Sequence, residues 1–294
     1  MKDKIQGHAL ALITILVWGV TYIASKILLQ NYNEIQVIVF RLIIAYAVLW
    51  IIKPNPNPPT SLKNELLFIV LAVFGVVVYF LFENAALTIS PAANVSIIIS
   101  FAPIATTIGM RLVSKDERLT GAKIIGFFVA IAGVVFVVFN GTVVFKLSPK
   151  GDLLAIGAML SWAIYSIISP YMLARFDNIL LTRRCTFYSL ISLGAITLIR
   201  DGVPDIAPLL TFSSGSSLLL LGVLGSGLCY IWWNKAIKTI GVVITTNYLY
   251  LSPFVTMISG WLILKENISI MGIVGALLII GGIVVSNKTF KKKV

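Results

Sequence analysis

The sequence predicts an all-α integral membrane protein with ten transmembrane helices, arranged as two inverted five-helix repeats. The chain of 294 residues is 59% hydrophobic and 12% charged, with a mean hydropathy of +0.99. Soluble domains are about one quarter charged, so the solvent of this chain is predicted to be lipid. Its apolar residues form continuous runs, which favour spanning helices over the alternating strands of a membrane barrel.

Ten apolar runs are predicted to span the membrane, because about 20 residues of helix cross the hydrocarbon core. These runs are residues 8–29, 34–52, 64–88, 91–113, 120–139, 152–173, 178–199, 214–238, 241–264 and 268–286. The first run has no small-residue cleavage site, so we interpret it as a retained helix and not as a signal peptide.

The distribution of Lys and Arg predicts that both termini are cytoplasmic. With the N-terminus inside, 17 of the 23 cations lie on the inner side and five on the outer side, and Arg41 alone lies within a span. Such a bias is typical of multi-pass proteins of the cytoplasmic (plasma) membrane. The same bias explains the net charge of +12 without a nucleic-acid partner. The basic tail 287–294 is predicted to contact anionic lipid headgroups.

Weak internal similarity predicts the repeat. Residues 80–103 match residues 230–253 at an offset of 150, and Trp18 matches Trp162 at an offset of 144. Each unit has five predicted spans, and an odd number turns the second copy upside down in the membrane. Inverted repeats are typical of secondary transporters, whose solute site lies near the midplane between the repeats. The two repeats are predicted to cover residues 1–140 and 151–286.

A central substrate cavity is predicted where polar and aromatic faces of both repeats meet, because polar faces in lipid turn towards other helices or a wet space. The candidate lining residues are Trp18, Thr21, Tyr22, Glu83, Asn84, Ser100, Trp162, Tyr165, Tyr230, Trp233, Asn234 and Ser252. The alternatives are ordinary helix packing for the hydroxyl residues and interfacial anchoring for the aromatic ones.

Arg41 and Glu83 are predicted to lie at similar depth within their spans. A lone charge there is costly, so an intramembrane ion pair between them is the first expectation. Two hypotheses stay open: the pair is structural, or Glu83 is a proton-coupling carboxylate or cation ligand.

Pro103 and Pro253 fall at matching positions within spans. Each removes a backbone donor and disturbs the carbonyl four residues earlier. They are predicted either to be paired hinges that let the two repeats rock, or to be kinks satisfied locally.

Catalytic and cofactor sites are not expected. The chain has two cysteines and one histidine, His8, too few for a histidine-dependent triad or a metal cluster. It has no glycine-rich phosphate loop, so no nucleotide or other cofactor is predicted.

The chain resembles the EamA branch of the drug/metabolite transporter superfamily over nearly its whole length. The resemblance is carried by Trp18-Gly19, Phe40-Arg41-Leu42 and the stretch from Ala86-Leu87 to Pro103. It is also carried by four residues just before and within the tenth span: Glu266, Gly272, Gly275 and Gly282. It implies a central cavity with peripheral fifth and tenth spans, and transport of small metabolites, often amino acids. Trp233 stands where the first repeat has Glu83, so the cavity is expected to be asymmetric.

The sequence therefore predicts a secondary active transporter and not an enzyme. Its solute is expected to be an amino acid or a related amphiphile, with export favoured and proton coupling left open. The alternatives are a passive facilitator or channel and, less favoured, a membrane-embedded enzyme. Partners are expected to be membrane lipids, and the protein a monomer or homodimer.

Overall fold

The computed structural model describes residues 2–56, 59–113, 121–139, 148–264 and 270–287. All regular structure in these ranges is helical. Eight of the helices are long and apolar enough to cross a membrane, and the apolar segments Ile124–Gly133 and Ile270–Val285 are shorter. The predicted class, an all-helical protein with several membrane spans, is confirmed. The count of ten spans and the inversion of the repeats stay predictions.

The helices have bounds close to the predicted runs, although the first begins at Lys2 instead of residue 8. They are α1 (Lys2–Leu28), α2 (Glu34–Ile52), α3 (Leu62–Ile89), α4 (Ala92–Ile99 and Ala102–Val113), α5 (Gly121–Phe139), α6 (Pro149–Leu173), α7 (Asn178–Arg200), α8 (Phe212–Ile240), α9 (Val242–Asn247 and Ser252–Leu264) and α10 (Ile270–Asn287). The predicted basic tail, apart from Asn287, lies outside the described residues.

Helices α2 and α7 begin with matching caps and pack antiparallel. The side chains of Asn33 and Asp177 each accept hydrogen bonds from two backbone N–H groups of the following turn, which satisfies donors that a helix start leaves unpaired. The Asn33 amide also donates to Asp201 Oδ2 at 2.8 Å, and Lys53 Nζ donates to Asp177 Oδ1 at 3.2 Å. The start of each helix is thus tied to the end of the other.

Helices α5 and α10 pack closely through glycines. A Cβ atom on Gly133 would lie 2.5 Å from the Gly275 carbonyl oxygen, and one on Gly282 would lie 2.5 Å from the Gly126 carbonyl oxygen. Because the earlier glycine of each helix meets the later glycine of the other, the two helices run antiparallel. Only glycine allows backbones to approach this closely.

Helices α3 and α8 each contain a π-helical turn, at Val73–Val77 and Leu220–Leu228. These turns overlap at the repeat offset of 150 residues. A π turn contains one residue more than an α turn and disturbs the regular pairing of backbone carbonyls, and such turns are frequent at functional sites. The two turns lie next to the cavity described below.

Helices α4 and α9 are both interrupted shortly before a proline. The first breaks at Ser100 and Phe101, and the second passes through a 3₁₀ turn at Tyr248–Leu251. Pro103 and Pro253 lack the N–H that would pair with the carbonyl four residues earlier, which accounts for irregular backbone at these places. Their predicted role as hinges stays a prediction.

Candidate functional site

A cavity lies at the centre of the bundle, where the two halves of the chain meet. Its volume is about 20 Å³, room for about one water molecule. Helices α1, α2, α3, α4, α6, α8 and α9 contribute to its wall. The lining residues are Trp18, Thr21, Tyr22, Arg41, Tyr79, Phe80, Glu83, Ile99, Trp162, Tyr230, Leu249 and Ser252.

The structure brings most of the predicted site residues to this cavity. Those lining it are Trp18, Thr21, Tyr22, Arg41, Glu83, Trp162, Tyr230 and Ser252. Four further lining residues were not among the candidates: Tyr79, Phe80, Ile99 and Leu249. Tyr79 lies four residues before Glu83, so helical periodicity from that carboxylate could have found it.

The two predicted asparagines lie behind the wall and connect helices. Asn84 Nδ2 donates to the Glu34 carbonyl at 3.2 Å, and Asn234 Nδ2 donates to Thr182 Oγ1 at the same distance. The predicted cavity residue Tyr165 donates its hydroxyl to Asn234 Oδ1 at 2.9 Å. All three residues are buried, and the asparagines tie α3 to α2 and α8 to α7.

Ser100 and Trp233 also lie outside the cavity wall. Ser100 Oγ donates to the Ile97 carbonyl of its own helix at 2.6 Å. Trp233 is fully buried, with its ring centroid 5.0 Å from that of Trp18. Ser100 therefore satisfies the backbone at the break in α4, and Trp233 supports the ring that does line the cavity.

Aromatic rings make up much of the wall. The Trp18 ring meets Trp162 edge-to-face with 5.1 Å between centroids, and it lies 5.7 Å from Tyr230. Trp162 lies 5.2 Å from Tyr79 and stacks on Tyr165 at 5.1 Å. Edge-to-face and offset contacts at these distances stabilise ring clusters beyond the apolar area they bury. The cavity is thus bounded by rings whose positions depend on one another.

The π turns supply backbone acceptors to the side chains of the site. Trp18 Nε1 donates to the Gly225 carbonyl at 3.0 Å, and the Tyr230 hydroxyl donates to the Gly75 carbonyl at 2.7 Å. The two acceptors are equivalent glycines of the two turns. Each half therefore helps to fix a cavity side chain of the other half, since Trp18 lies in the first half and Tyr230 in the second.

Arg41 is 1% exposed and is held by groups other than Glu83. Its Nε donates to Ser226 Oγ at 2.7 Å, and its Cζ lies 4.0 Å from the centroid of the Phe80 ring. Its Nη1 has no hydrogen-bond partner among the described residues.

The predicted direct ion pair between Arg41 and Glu83 is not formed. The ion pairs within the described residues are Lys53–Asp177, Glu65–Arg184 and Arg200–Asp201. A physical reason lies in α8, where glycines in the π turn let α2 approach closely: a Cβ on Gly225 would lie 3.2 Å from Arg41 Nη2. The guanidinium therefore reaches Ser226 instead.

Glu83 is 3% exposed and lines the same cavity as Arg41. Tyr22, Tyr79 and Arg41 all interact electrostatically with its carboxylate. One charge of each sign thus faces one small buried space, and the two are not paired directly. Within the described residues, no group of three or more His, Cys, Asp or Glu side chains could hold a metal ion.

Two relatives of this chain are named as a transporter and as an exporter. An uncharacterized transporter of Archaeoglobus fulgidus is 29% identical over 94% of this chain and 95% of its own length. A probable terminal-alkyne amino-acid exporter of Streptantibioticus cattleyicolor is 24% identical over 94% of this chain and 91% of its own. A solved crystal structure has the same fold, with a TM-score of 0.74 at 19% identity over 95% of this chain and 97% of its own.

The family comparison covers both halves of the chain. The profile of the EamA-like transporter family matches residues 5–139 and again residues 149–288. The helical membrane fold and the transporter relatives agree with this match. The chain belongs to the EamA-like transporter family.

Proposed function

We propose that this protein is a secondary active transporter that moves a small metabolite across the cytoplasmic membrane by alternating access through the central cavity. The observation that carries the proposal is the cavity itself. Residues from both family domains, midway along apolar helices, surround one buried space with aromatic and polar groups. A cavity of about 20 Å³ does not admit a metabolite, so the surrounding helices must move apart for each passage.

The proposed architecture is ten spans in two inverted repeats, with both termini cytoplasmic. The antiparallel pairs α2/α7 and α5/α10 support it, because each joins equivalent helices of the two halves. Equivalent helices run antiparallel when one copy is inverted. Pro103 and Pro253, next to the irregular turns of α4 and α9, are the proposed hinges.

The proposed solute is an amino acid or a related amphiphile, and the proposed direction is export. The aromatic wall suits an apolar side chain, and the polar and charged groups suit a polar head. The relative named as a probable amino-acid exporter supports both points.

Counterflow in liposomes containing the purified full-length protein tests this proposal. Vesicles are loaded with an unlabelled amino acid, chosen by a thermal-shift screen, and uptake of the labelled form is followed. A carrier accumulates label transiently against its gradient, whereas a passive channel, the second candidate function, only equilibrates it. Label that merely equilibrates would overturn alternating access, and an imposed proton gradient then shows whether transport is coupled.

A matched pair of tryptophan variants checks that the cavity is the route. Trp18→Ala removes a ring from the cavity wall, and Trp261→Ala removes one that is 48% exposed on α9. We expect the first variant to lose most counterflow and the second to retain it. Equal activity of the two variants, at equal levels of folded protein, would contradict the assignment of the cavity.

Glu83 has either a structural role in this proposal or a functional one, as a proton-coupling carboxylate or a cation ligand. Glu83→Gln keeps the shape of the side chain and removes its charge. Normal protein level with loss of the response to a proton gradient supports coupling, whereas loss of folded protein supports a structural role.

A further inference from the structure

Two side chains that line the cavity each carry a buried hydrogen-bond donor that has no acceptor within the described part of the chain. These donors are Arg41 Nη1 and Trp162 Nε1. Both side chains are almost fully buried, at 1% and 3% exposure. Buried donors are nearly always paired in native proteins, and an unpaired charged donor is especially costly. These two donors therefore point to an acceptor that enters the cavity from outside the protein.

The guanidinium of Arg41 is held in place for such an acceptor. Its Nε donates to Ser226 Oγ at 2.7 Å and its plane is supported by the Phe80 ring at 4.0 Å. These contacts use one edge and one face of the group and leave Nη1 without a partner. A planar guanidinium presents its N–H groups in a fixed fork that matches a carboxylate.

The unpaired indole N–H of Trp162 is not shared by the other tryptophan that lines the cavity. Trp18 also lines the space, but its Nε1 is satisfied by the Gly225 carbonyl at 3.0 Å. The equivalent carbonyl for Trp162 is that of Gly75, and the Tyr230 hydroxyl already donates to it at 2.7 Å. Trp233 Nε1 is also unpaired but lies behind the wall, so of the two tryptophans that line the cavity, Trp162 is the one whose indole N–H is unpaired.

Glu83 places a negative charge in the same cavity as the positive charge of Arg41. It lines the same cavity as Arg41 and makes no direct ion pair with it. Two separated charges of opposite sign in an apolar surrounding are stabilised together by a ligand that carries both counter-charges.

On the basis of the proposed function, we propose that the transported solute is a zwitterion bound at both ends. Its carboxylate accepts hydrogen bonds from Arg41 Nη1 and Trp162 Nε1, and its ammonium group faces Glu83. Arg41 and Trp162 are then specificity-determining residues that distinguish a carboxylate from its neutral analogue.

Pairs of ligands that differ only in the carboxylate test this binding mode. The probes are alanine with alaninamide and phenylalanine with phenylalaninamide, measured by thermal shift and equilibrium binding on the full-length protein in lipid nanodiscs. Each amide keeps the ammonium group and the side chain but lacks the negative charge. We expect at least one acid to bind at least tenfold more tightly than its amide.

Variants then assign the discrimination to residues. Arg41→Gln should weaken binding of the acid about tenfold or more and leave the amide nearly unchanged, and Trp162→Phe should weaken the acid a few-fold. Arg175→Gln is the matched control, because that arginine lies exposed at the end of α6 and stacks on Tyr171. Should Arg41→Gln not fold, Arg41→Lys keeps the charge without the fork and should show an intermediate loss.

Three binding results would overturn the inference: equal binding of acid and amide by the wild-type protein, unchanged discrimination in the folded Arg41 variants, or no binding of any carboxylate probe. The proposed function is judged separately by counterflow. Exchange of the amide as fast as the acid would overturn the zwitterion and leave transport standing. Tight binding of the acid without any exchange would leave the zwitterion standing and overturn the proposed transport.

Discussion

The two halves of this chain share a framework and differ in what they bring to the cavity. In the framework, Gly133 packs against Gly275 and Gly282 packs against Gly126, and in both cases an added Cβ would lie 2.5 Å from the facing carbonyl oxygen. In the cavity, Glu83 of the first half corresponds to Trp233 of the second, which lies behind the wall. The charged groups of the cavity therefore come from the first half, although aromatic rings come from both.

This difference indicates which substitutions should act alike in the two halves and which should not. Positions of helix packing have equivalent surroundings in both copies, so paired substitutions should cost the same. Positions around the cavity have different partners in the two copies, so paired substitutions should differ. The first two of the three predictions below test these two statements, and the third concerns a capping residue of the framework.

The largest effect is expected at the glycine contact of α5 and α10. In Gly133→Ala and Gly282→Ala the new Cβ lies 2.5–2.6 Å from backbone atoms of the facing helix, so both helices must separate. Each should destabilise the protein by about 3 kcal/mol, the upper part of the usual range for overpacking. The melting temperatures of the purified variants measure this.

Gly281→Ala is the control for that pair, because a Cβ there meets nothing within 4 Å. It should be neutral or slightly stabilising, since alanine favours helix over glycine. A clear difference in melting temperature between the Gly133 and Gly282 variants would contradict the claim that the two halves share one framework.

A smaller and unequal effect is expected at the two asparagines. Asn234→Ala removes the acceptor of the buried Tyr165 hydroxyl and the contact with Thr182, which should cost about 2 kcal/mol. Asn84→Ala removes one bond to the Glu34 carbonyl and should cost about 1 kcal/mol or less. Thermal unfolding compares the two, with exposed Asn31→Ala as the neutral reference; equal losses would contradict the asymmetry.

The smallest effect is expected at Asp177, which caps α7 as Asn33 caps α2. Partial burial raises the pKa of Asp177, but hydrogen bonds from Lys53 and from backbone N–H groups outweigh it and hold the pKa below its usual value of 3.8. A carboxylate with a lowered folded-state pKa stabilises the protein above that usual value, and the stabilisation is lost as the pH falls below it.

Asp177→Asn keeps a capping side chain and removes the charge. It should lower stability by only a few tenths of a kcal/mol near neutral pH, because the pair with Lys53 is partly exposed. The difference between wild type and variant should shrink as the pH falls below about 3.8. Melting temperatures recorded as a function of pH check the sign, and a difference that grows on acidification would refute it.

Much of the fold was predictable because its signals are compositional and periodic. The apolar runs predicted the helices, and the match of Trp18 with Trp162 at an offset of 144 residues predicted the repeat. The π turns of α3 and α8 were not predicted. In each turn a glycine carbonyl, that of Gly75 or Gly225, accepts a hydrogen bond from a side chain far away in the sequence, and helical periodicity does not show such a pairing.

The candidate site was predictable as a set of helix faces but not as a set of contacts. Periodicity placed Trp18, Glu83 and Trp162 on inward faces, which was sufficient to bring them to one cavity. It could not show that Arg41 would turn to Ser226, because this depends on glycines about 180 residues away in the chain that let α8 approach α2. Nor could it separate Asn84, which bonds the backbone of α2, from its neighbour Glu83, which lines the cavity.

The reciprocal caps of α2 and α7 restrict how such a bundle can open. Asn33 binds Asp201 at one end of this helix pair and Lys53 binds Asp177 at the other. A gap between the two helices would therefore break a polar contact, whichever end opened. Under the proposed alternating access, a solute would pass more easily beside α4 and α9, which depart from regular helix, and the α2/α7 pair would serve as the fixed axis about which the remaining helices turn.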